Sequence, residues 1–276
     1  MTGGFFRSVL PENEDEAGLP DIDTSVAHIA RVYDYWLGGK DHFAADREVG
    51  DKVLEIHPET VLSVRANRAF LARAVRYLTA QGIRQFLDIG TGLPTVDNTH
   101  EVAQAAAPAS RVVYVDNDPI VLVHARALLT SRPEGATGYL DADVRDVDTV
   151  LAAARELLDF SQPIGVMLVA LLHMLGDEDD PWGLVARYMA AVPPGSYLVL
   201  SHLASDVQAE TMAEMGRRIN ELMPDQVHMR TKDQVTAFFG GMPLDEPGVV
   251  LTHQWRPDMG AAGVGGVLWA GVARKP

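Results

Sequence analysis

The sequence predicts an α/β protein: a three-layer sandwich around a mostly parallel seven-stranded sheet, with an N-terminal helical cap and a terminal antiparallel strand. Three observations predict it. From Ile83 onward, short unbroken apolar runs alternate with helix-length segments, the pattern of parallel strands covered on both faces. Before Ile83 the apolar spacing is helical. After Ser201 two further helical segments precede two apolar runs separated by a Gly- and Pro-bearing turn, which reads as an antiparallel pair.

Residues 1–20 are acidic and rich in Gly and Pro, and are expected to form a flexible lead. The helical cap is expected over 21–80 and the sheet-bearing core over 81–276. Ser25 is placed to cap a first helix, with Val26, Ile29, Val32, Tyr33 and Trp36 at apolar spacing and Gly38-Gly39 ending it. A second helix is expected over 43–56. Pro58 opens a third through Leu62, Phe70 and Leu78, which carries Arg65, Arg68, Arg73 and Arg76. Strands are expected at 85–89, 112–115, 138–140, 164–170 and 197–201. Helices are expected near 98–107, 120–129, 147–157 and 182–191, the last with Asp180 as cap and Pro181 in its first turn. Helices near 207–222 and 231–239 follow, and strands at 249–252 and 267–273 close the chain.

A chain of 276 residues buries roughly 70–75% of its unfolded surface and needs no disulfide or metal staple. It has no cysteine, which removes thiol catalysis, disulfides and Cys-ligated metal sites together and fits a reducing compartment. No metal site is expected. A formal net charge of −15 makes the chain a poor partner for nucleic acid, whose binding draws on Lys and Arg. The longest apolar run, 164–172, is of strand length, far short of the roughly 20 residues that span a bilayer. The first residues lack the basic start and apolar centre of a signal peptide, so a cytoplasmic protein is expected.

The stretch from 84 to 118 is the most informative: a strand, the turn Asp88-Ile-Gly-Thr-Gly92, a helix, and a second strand ending in Asp116. Glycines let a backbone approach a ligand closely, because no Cβ intervenes. The turn alone is a weak signal, and Thr95 stands where the dinucleotide pattern requires its last glycine. Asp88 adds to it, since a carboxylate ending a buried strand is costly unless something pairs with it, as a ligand ammonium would. Asp116 can take both hydroxyls of a ribose while Asp118 caps the next helix. After the third strand, Asp143 is the choice for accepting from an adenine amine, with Asp141 as replacement and Asp146 as a helix cap.

Together these pieces resemble class I S-adenosylmethionine-dependent methyltransferases, which have a Rossmann-like fold. Asp88, Gly90 and Gly92 match that family's acid-x-Gly-x-Gly-x-Gly motif, with Pro94 in place of the third glycine. The resemblance implies that Asp88, Gly90, Thr91 and Gly92 hold the methionine portion of S-adenosyl-L-methionine. It assigns Asp116 to the ribose and Asp143 to the adenine amine, with Asn117 and Val144 beside them and Leu171 and Leu172 flanking the cofactor. A narrower resemblance rests on several strings in order: Asp23-Thr-Ser25, Ala30 through Asp41, Arg65 through Phe70, Asp88 through Thr95, and Asn98 through Ala103. These look like the DUF574 family of S-adenosylmethionine methyltransferases, in which Pro94 looks normal; the likeness runs from about Asp21 to the C-terminus.

Other residues carry two readings each. Tyr33, Tyr35 and Trp36 read as core more readily than as site residues. Gly38 and Gly39 read as a helix C-cap, or as backbone that brings Lys40 over the cofactor carboxylate. Arg65 or Arg68 fits that second role equally, against a solvated face. Asn98 and His100 stand beside the site, with helix capping as the alternative for Asn98. His173 and His202 end the fourth and fifth strands, where ligands gather in open α/β sheets, so each is a candidate general base. A hydrogen-bonded structural histidine is the alternative for both. The acidic run 177–180 reads as favouring the following helix N-terminus.

The expected function is transfer of a methyl group, in line, from S-adenosylmethionine to a small-molecule acceptor. A non-catalytic protein that senses the same cofactor is the alternative. A nicotinamide-dependent oxidoreductase is disfavoured by Thr95 and by Asp88 before the turn. The residues do not fix the oligomeric state.

Overall fold

The computed structural model describes residues 23–121, 131–258 and 265–276. Three helices come first: α1 (Ile29–Leu37), α2 (Ala44–Ile56) and α3 (Thr60–Ala80). There follow β1 (Gln85–Ile89), α4 (Thr99–Ala106), β2 (Arg111–Asp116), β3 (Ala136–Asp141), α5 (Val147–Ala154), β4 (Gly165–Val169), α6 (Pro181–Ala191) and β5 (Tyr197–Leu203). The chain continues through α7 (Ala209–Leu222), α8 (Lys232–Ala237), β6 (Val250–Leu251) and β7 (Leu268–Arg274). The expected lead at 1–20 and most of the helix expected near 120–129 lie outside the described residues.

The seven strands form one sheet in the order β3-β2-β1-β4-β5-β7-β6. Strands β1 to β5 pair in parallel, and β7 runs antiparallel to both β5 and β6. The Rossmann-like sandwich is therefore as the sequence predicts. The order reverses at β1 and β4, and such a switch point opens a crevice at the strands' carboxyl ends.

Strand periodicity divides the core in two. Phe86, Val112, Tyr114, Met167 and Val199 face one layer, packed with Phe70, Leu71, Val75 and Leu78 of α3. Leu87, Val113, Val166, Leu168 and Leu200 face the other, packed with α5 and α6. The helix α3 thus covers one sheet face with its C-terminal half. Its N-terminal half joins α1, α2 and α7 in a third apolar cluster that includes Val32, Trp36, Val53, Val64, Met215 and Leu268.

Local starts differ from expectation in two places. The third helix begins at Thr60 with Glu59 at the cap position, so Pro58 lies in the turn before it rather than in its first turn. The first helix begins at Ile29 with His28 at the cap position, because Ser25 is occupied with the Asp23 carboxylate through both its N–H and its hydroxyl. The caps Asp118, Asp146 and Asp180 form as expected, each accepting from a backbone N–H of its own helix start.

Candidate active site

A cavity of about 240 Å³ opens along the carboxyl edge of the sheet, roofed by α1, α3 and α7. Strand order divides its wall. Under β3, β2 and β1 it is polar: Asp143 and Arg145, then Asp116 and Asn117, then Asp88 and the turn Gly90–Leu93. Under β4, β5 and β7 it is mostly apolar, with Ala170, Met174, Leu203, Val267 and Leu268 facing Met215 and Ile219 of α7; His173, Asn67 and, at the rim, Asp225 are polar.

The glycine turn is built by exclusion and opening. A Cβ on Gly90 would stand 2.5 Å from Leu171 Cδ1, so the turn and the loop after β4 touch only because Gly90 lacks one. A Cβ on Gly92 would meet nothing within 4 Å. Both have positive φ, 71° and 65°, which glycine adopts without strain. Asp116 holds the turn in place: its Oδ2 accepts from Gly92 N at 2.8 Å and its Oδ1 from Asp118 N at 3.0 Å.

Asp88 is buried beneath the turn and accepts from the Thr99 hydroxyl at 2.6 Å. Burial pushes its pKa up to about 6, against the pull of the Thr99 bond and the Arg68 guanidinium. Arg68 reaches the cavity from α3 and donates through Nη2 to the carbonyls of Val96 and Asp97, both at 3.2 Å, while its buried Nε has no partner. Asp143 is half-exposed; Arg145 donates to it and to Asp179, so the acid is held in a charged cluster at the cavity rim.

The cap is clasped to the sheet edge by polar contacts. His28 Nδ1 lies 2.9 Å from Asp118 Oδ2. Burial disfavours charge on His28, but the carboxylates of Asp118 and Asp116 outweigh it and raise the imidazole pKa. Tyr33 of α1 donates to Val64 O and accepts from Asn67 Nδ2. Asn67 Oδ1 accepts from the Ser201 hydroxyl at 2.6 Å, which in turn accepts from Ala170 N at 3.0 Å. Ala170 ends β4 at φ 57°, a costly conformation for an alanine that this chain of bonds holds at the cavity wall.

A family model described as S-adenosyl methyltransferase matches residues 15–276. The chain belongs to that S-adenosyl methyltransferase family. Among solved structures, the chain is similar to a DUF574 family protein from Streptomyces avermitilis, at 44% identity and TM-score 0.89 over 92% of this chain and 99% of that one. It is also similar to a methyltransferase-like protein from Thermobifida fusca, at 43% identity and TM-score 0.85 over 93% of this chain and 97% of that one. A plantazolicin methyltransferase shares the fold, at 13% identity and TM-score 0.52 over 89% of this chain and 95% of that one. No protein of curated function matches the chain.

In this chain eleven of the expected site residues line the cavity: Arg68, Asp88, Gly90, Thr91, Gly92, Asp116, Asn117, Asp143, Val144, Leu171 and His173. The others stand apart from it for identifiable reasons. Gly38 and Gly39 end α1 by donating to Tyr35 O and Asp34 O, and the space where a Gly39 Cβ would lie is filled by the Asp34 carboxylate. Lys40 is exposed beyond them. Arg65 is exposed as well, because the cavity face of α3 is Thr60, Ser63, Val64, Asn67, Arg68 and Leu71, and Arg65 turns away from it. Asn98 is tied into the start of α4 through Thr95 and Glu101. His100 lies beneath, with Nδ1 2.8 Å from the Tyr114 hydroxyl. Leu172 points into the core layer rather than the cavity.

The two histidines separate. His202 is fully buried: Nδ1 donates to Leu203 O at 2.8 Å, and Nε2 accepts from Arg230 at 3.0 Å. Burial and the guanidinium hold its pKa down to about 3. It is a structural residue, and Arg230 is the hub it serves. That guanidinium also donates to the carbonyls of Leu172 and Leu175 and to Asp177, fixing the loop that carries His173. The His173 ring lines the cavity, its Nδ1 has no hydrogen-bond partner, and burial holds its pKa well below the usual histidine range.

Sequence reasoning missed His28, Asn67 and Arg230. Only their long-range partners reveal them, and no local spacing signals those partners.

Proposed function

We propose that this family member binds S-adenosyl-L-methionine along β1 to β3 and methylates a small-molecule acceptor held along β4 to β7. The observation that carries the reading is the divided cavity, with a charged, glycine-built half meeting an apolar half at the strand switch point. The residues fit the cofactor: open space at the Gly92 Cβ position, a carboxylate at the tip of β2, and an unpartnered buried Nε on Arg68.

Asp88 and Arg68 would hold the ammonium and carboxylate of the methionine portion, Asp116 the ribose hydroxyls, and Asp143 with Val144 the adenine. When bound, the cofactor would supply an activated methyl group on its sulfonium sulfur for transfer to the acceptor. The cap excludes water from this meeting point, and fixed orientation of this kind contributes roughly 7–11 kcal/mol. His173, uncharged at neutral pH because it is buried, takes the acceptor's proton.

Incubation with S-adenosylmethionine and pooled metabolite extracts, read by mass spectrometry, tests the activity. A cofactor-dependent gain of one methyl group is expected. Absence of any gain across pools, from protein that binds the demethylated cofactor, contradicts it.

A further inference from the structure

The apolar half of the cavity carries information about the acceptor. Its wall is Val64, Leu203, Met215, Ile219, Val227 and Leu268, with Trp36 and Met174 beside them. Among the described residues, the two arginines that line the cavity, Arg68 and Arg145, stand at the other half. Arg145 is committed to Asp143 and Asp179, and Arg68 holds the loop at Val96 and Asp97. An anionic acceptor would therefore enter an apolar half in which no protein cation is placed to pair with it, and burying a charge there without a protein partner is disfavoured. An ammonium acceptor has no free lone pair, and it would lie beside the cofactor's own positive charge. The acid at this end, Asp225, is exposed at the rim.

Resting on the cofactor reading above, we propose that the acceptor is an uncharged, largely apolar small molecule that presents an aromatic hydroxyl to His173. Three features select that group. The His173 imidazole is the buried polar group of this half whose Nδ1 lacks a partner. A hydroxyl on an aromatic ring ionises near 10, as tyrosine does, and so asks far less of the base than an aliphatic alcohol, a much weaker acid. Met174 and Met215 offer thioethers, and Trp36 a ring, all of which favour contact with an aromatic face. In the transfer, the hydroxyl oxygen gains the methyl carbon and its proton passes to His173 and then to solvent, leaving a neutral methyl ether.

The test uses three probes of one shape and different charge: 4-propylphenol, 4-propylbenzoate and 4-propylbenzylamine. Each is titrated calorimetrically into the full chain saturated with S-adenosylhomocysteine. The phenol is expected to bind saturably and at least tenfold more tightly than either charged probe. Met215→Glu is expected to weaken the phenol at least tenfold and to leave affinity for S-adenosylhomocysteine within about twofold, which also shows that the variant is folded. The proposal is overturned if the benzoate or benzylamine binds as tightly as the phenol, or if none binds to protein that does bind S-adenosylhomocysteine. Failure to bind S-adenosylhomocysteine, read before any probe is added, overturns the cofactor reading and this proposal with it.

Discussion

Gly92 donates its backbone N–H to Asp116 Oδ2 at 2.8 Å, so the turn after β1 is held by the carboxylate at the tip of β2. The same carboxylate both shapes the turn and would receive the ribose. Charge-assisted hydrogen bonds contribute about 1.5–3 kcal/mol each. Asp116→Ala should therefore weaken S-adenosylhomocysteine binding at least about a hundredfold. In thermal unfolding, ligand at a hundred times the wild-type Kd stabilises wild-type protein by about 2.7 kcal/mol. The variant should show almost no gain at that concentration; an undiminished gain would remove Asp116 from the site.

The two turn glycines should respond differently to alanine. Gly90→Ala adds positive-φ strain and a clash with Leu171, whereas Gly92→Ala adds the strain alone. Left-handed backbone costs an alanine about 1–2 kcal/mol. Denaturant unfolding should show Gly90→Ala losing clearly more stability than Gly92→Ala. The Gly92 variant should instead lose cofactor affinity, since its new methyl enters the open space.

Asp88 predicts a pH dependence. Its folded pKa, about 6, lies above the 3.8 of an ordinary Asp, so the folded state binds the extra proton between those values. Stability of the ligand-free protein should fall as pH rises through that window and stay flat in this respect above it. The shift corresponds to a cost on the order of 3 kcal/mol at neutral pH. Asp88→Asn keeps an acceptor for Thr99 and should flatten the window and raise stability at pH 8 while weakening cofactor binding. Urea unfolding at pH 4, 6 and 8 checks both.

The His28–Asp118 contact gives a pH dependence of the same sign in a higher window, here as a stabilising contact that is lost as pH rises. Because the carboxylates raise the folded pKa of His28, its contribution is full below the usual histidine value of 6.5 and fades as pH rises through the raised one. Hydrogen exchange of α1 amides should quicken as pH climbs past that range, after correction for intrinsic rates. His28→Ala should exchange quickly throughout.

The histidine pair should divide function from stability. His173→Asn should lower methyl transfer by roughly 10²–10⁴-fold with little loss of stability. His202→Ala leaves an Arg230 donor unpaired in the core and should cost about 1–3 kcal/mol. Melting curves beside a methyl-transfer assay distinguish the two.

Much of the fold is legible in the sequence because buried parallel strands are unbroken apolar runs: β1 falls at 85–89 as expected, and β2, β4 and β5 differ only at their ends. Asp88, Gly90, Gly92 and Asp116 are legible because one local order of strand, turn and strand brings them together. The remaining positions depend on which face of an element meets the cavity. Arg65 and Arg68 are both arginines on one helix, and only docking of α3 onto the sheet turns Arg68 inward. The Gly38-Gly39 pair satisfies the requirements of a C-cap, which the local chemistry allowed equally. In the sequence His173 and His202 read as equivalent strand ends, but β5 runs on through His202 to Leu203 while β4 stops at Val169 and His173 lies in a 3-10 turn beyond it; Arg230, from a different element, then claims His202 alone.

The central claim is a cofactor site spanning Asp88, Gly92 and Asp116. Calorimetric titration of the folded wild-type chain with S-adenosylhomocysteine tests it most directly. The account predicts saturable binding at one site per chain with a Kd in the micromolar range. No saturable heat from protein shown to be folded by circular dichroism would contradict it.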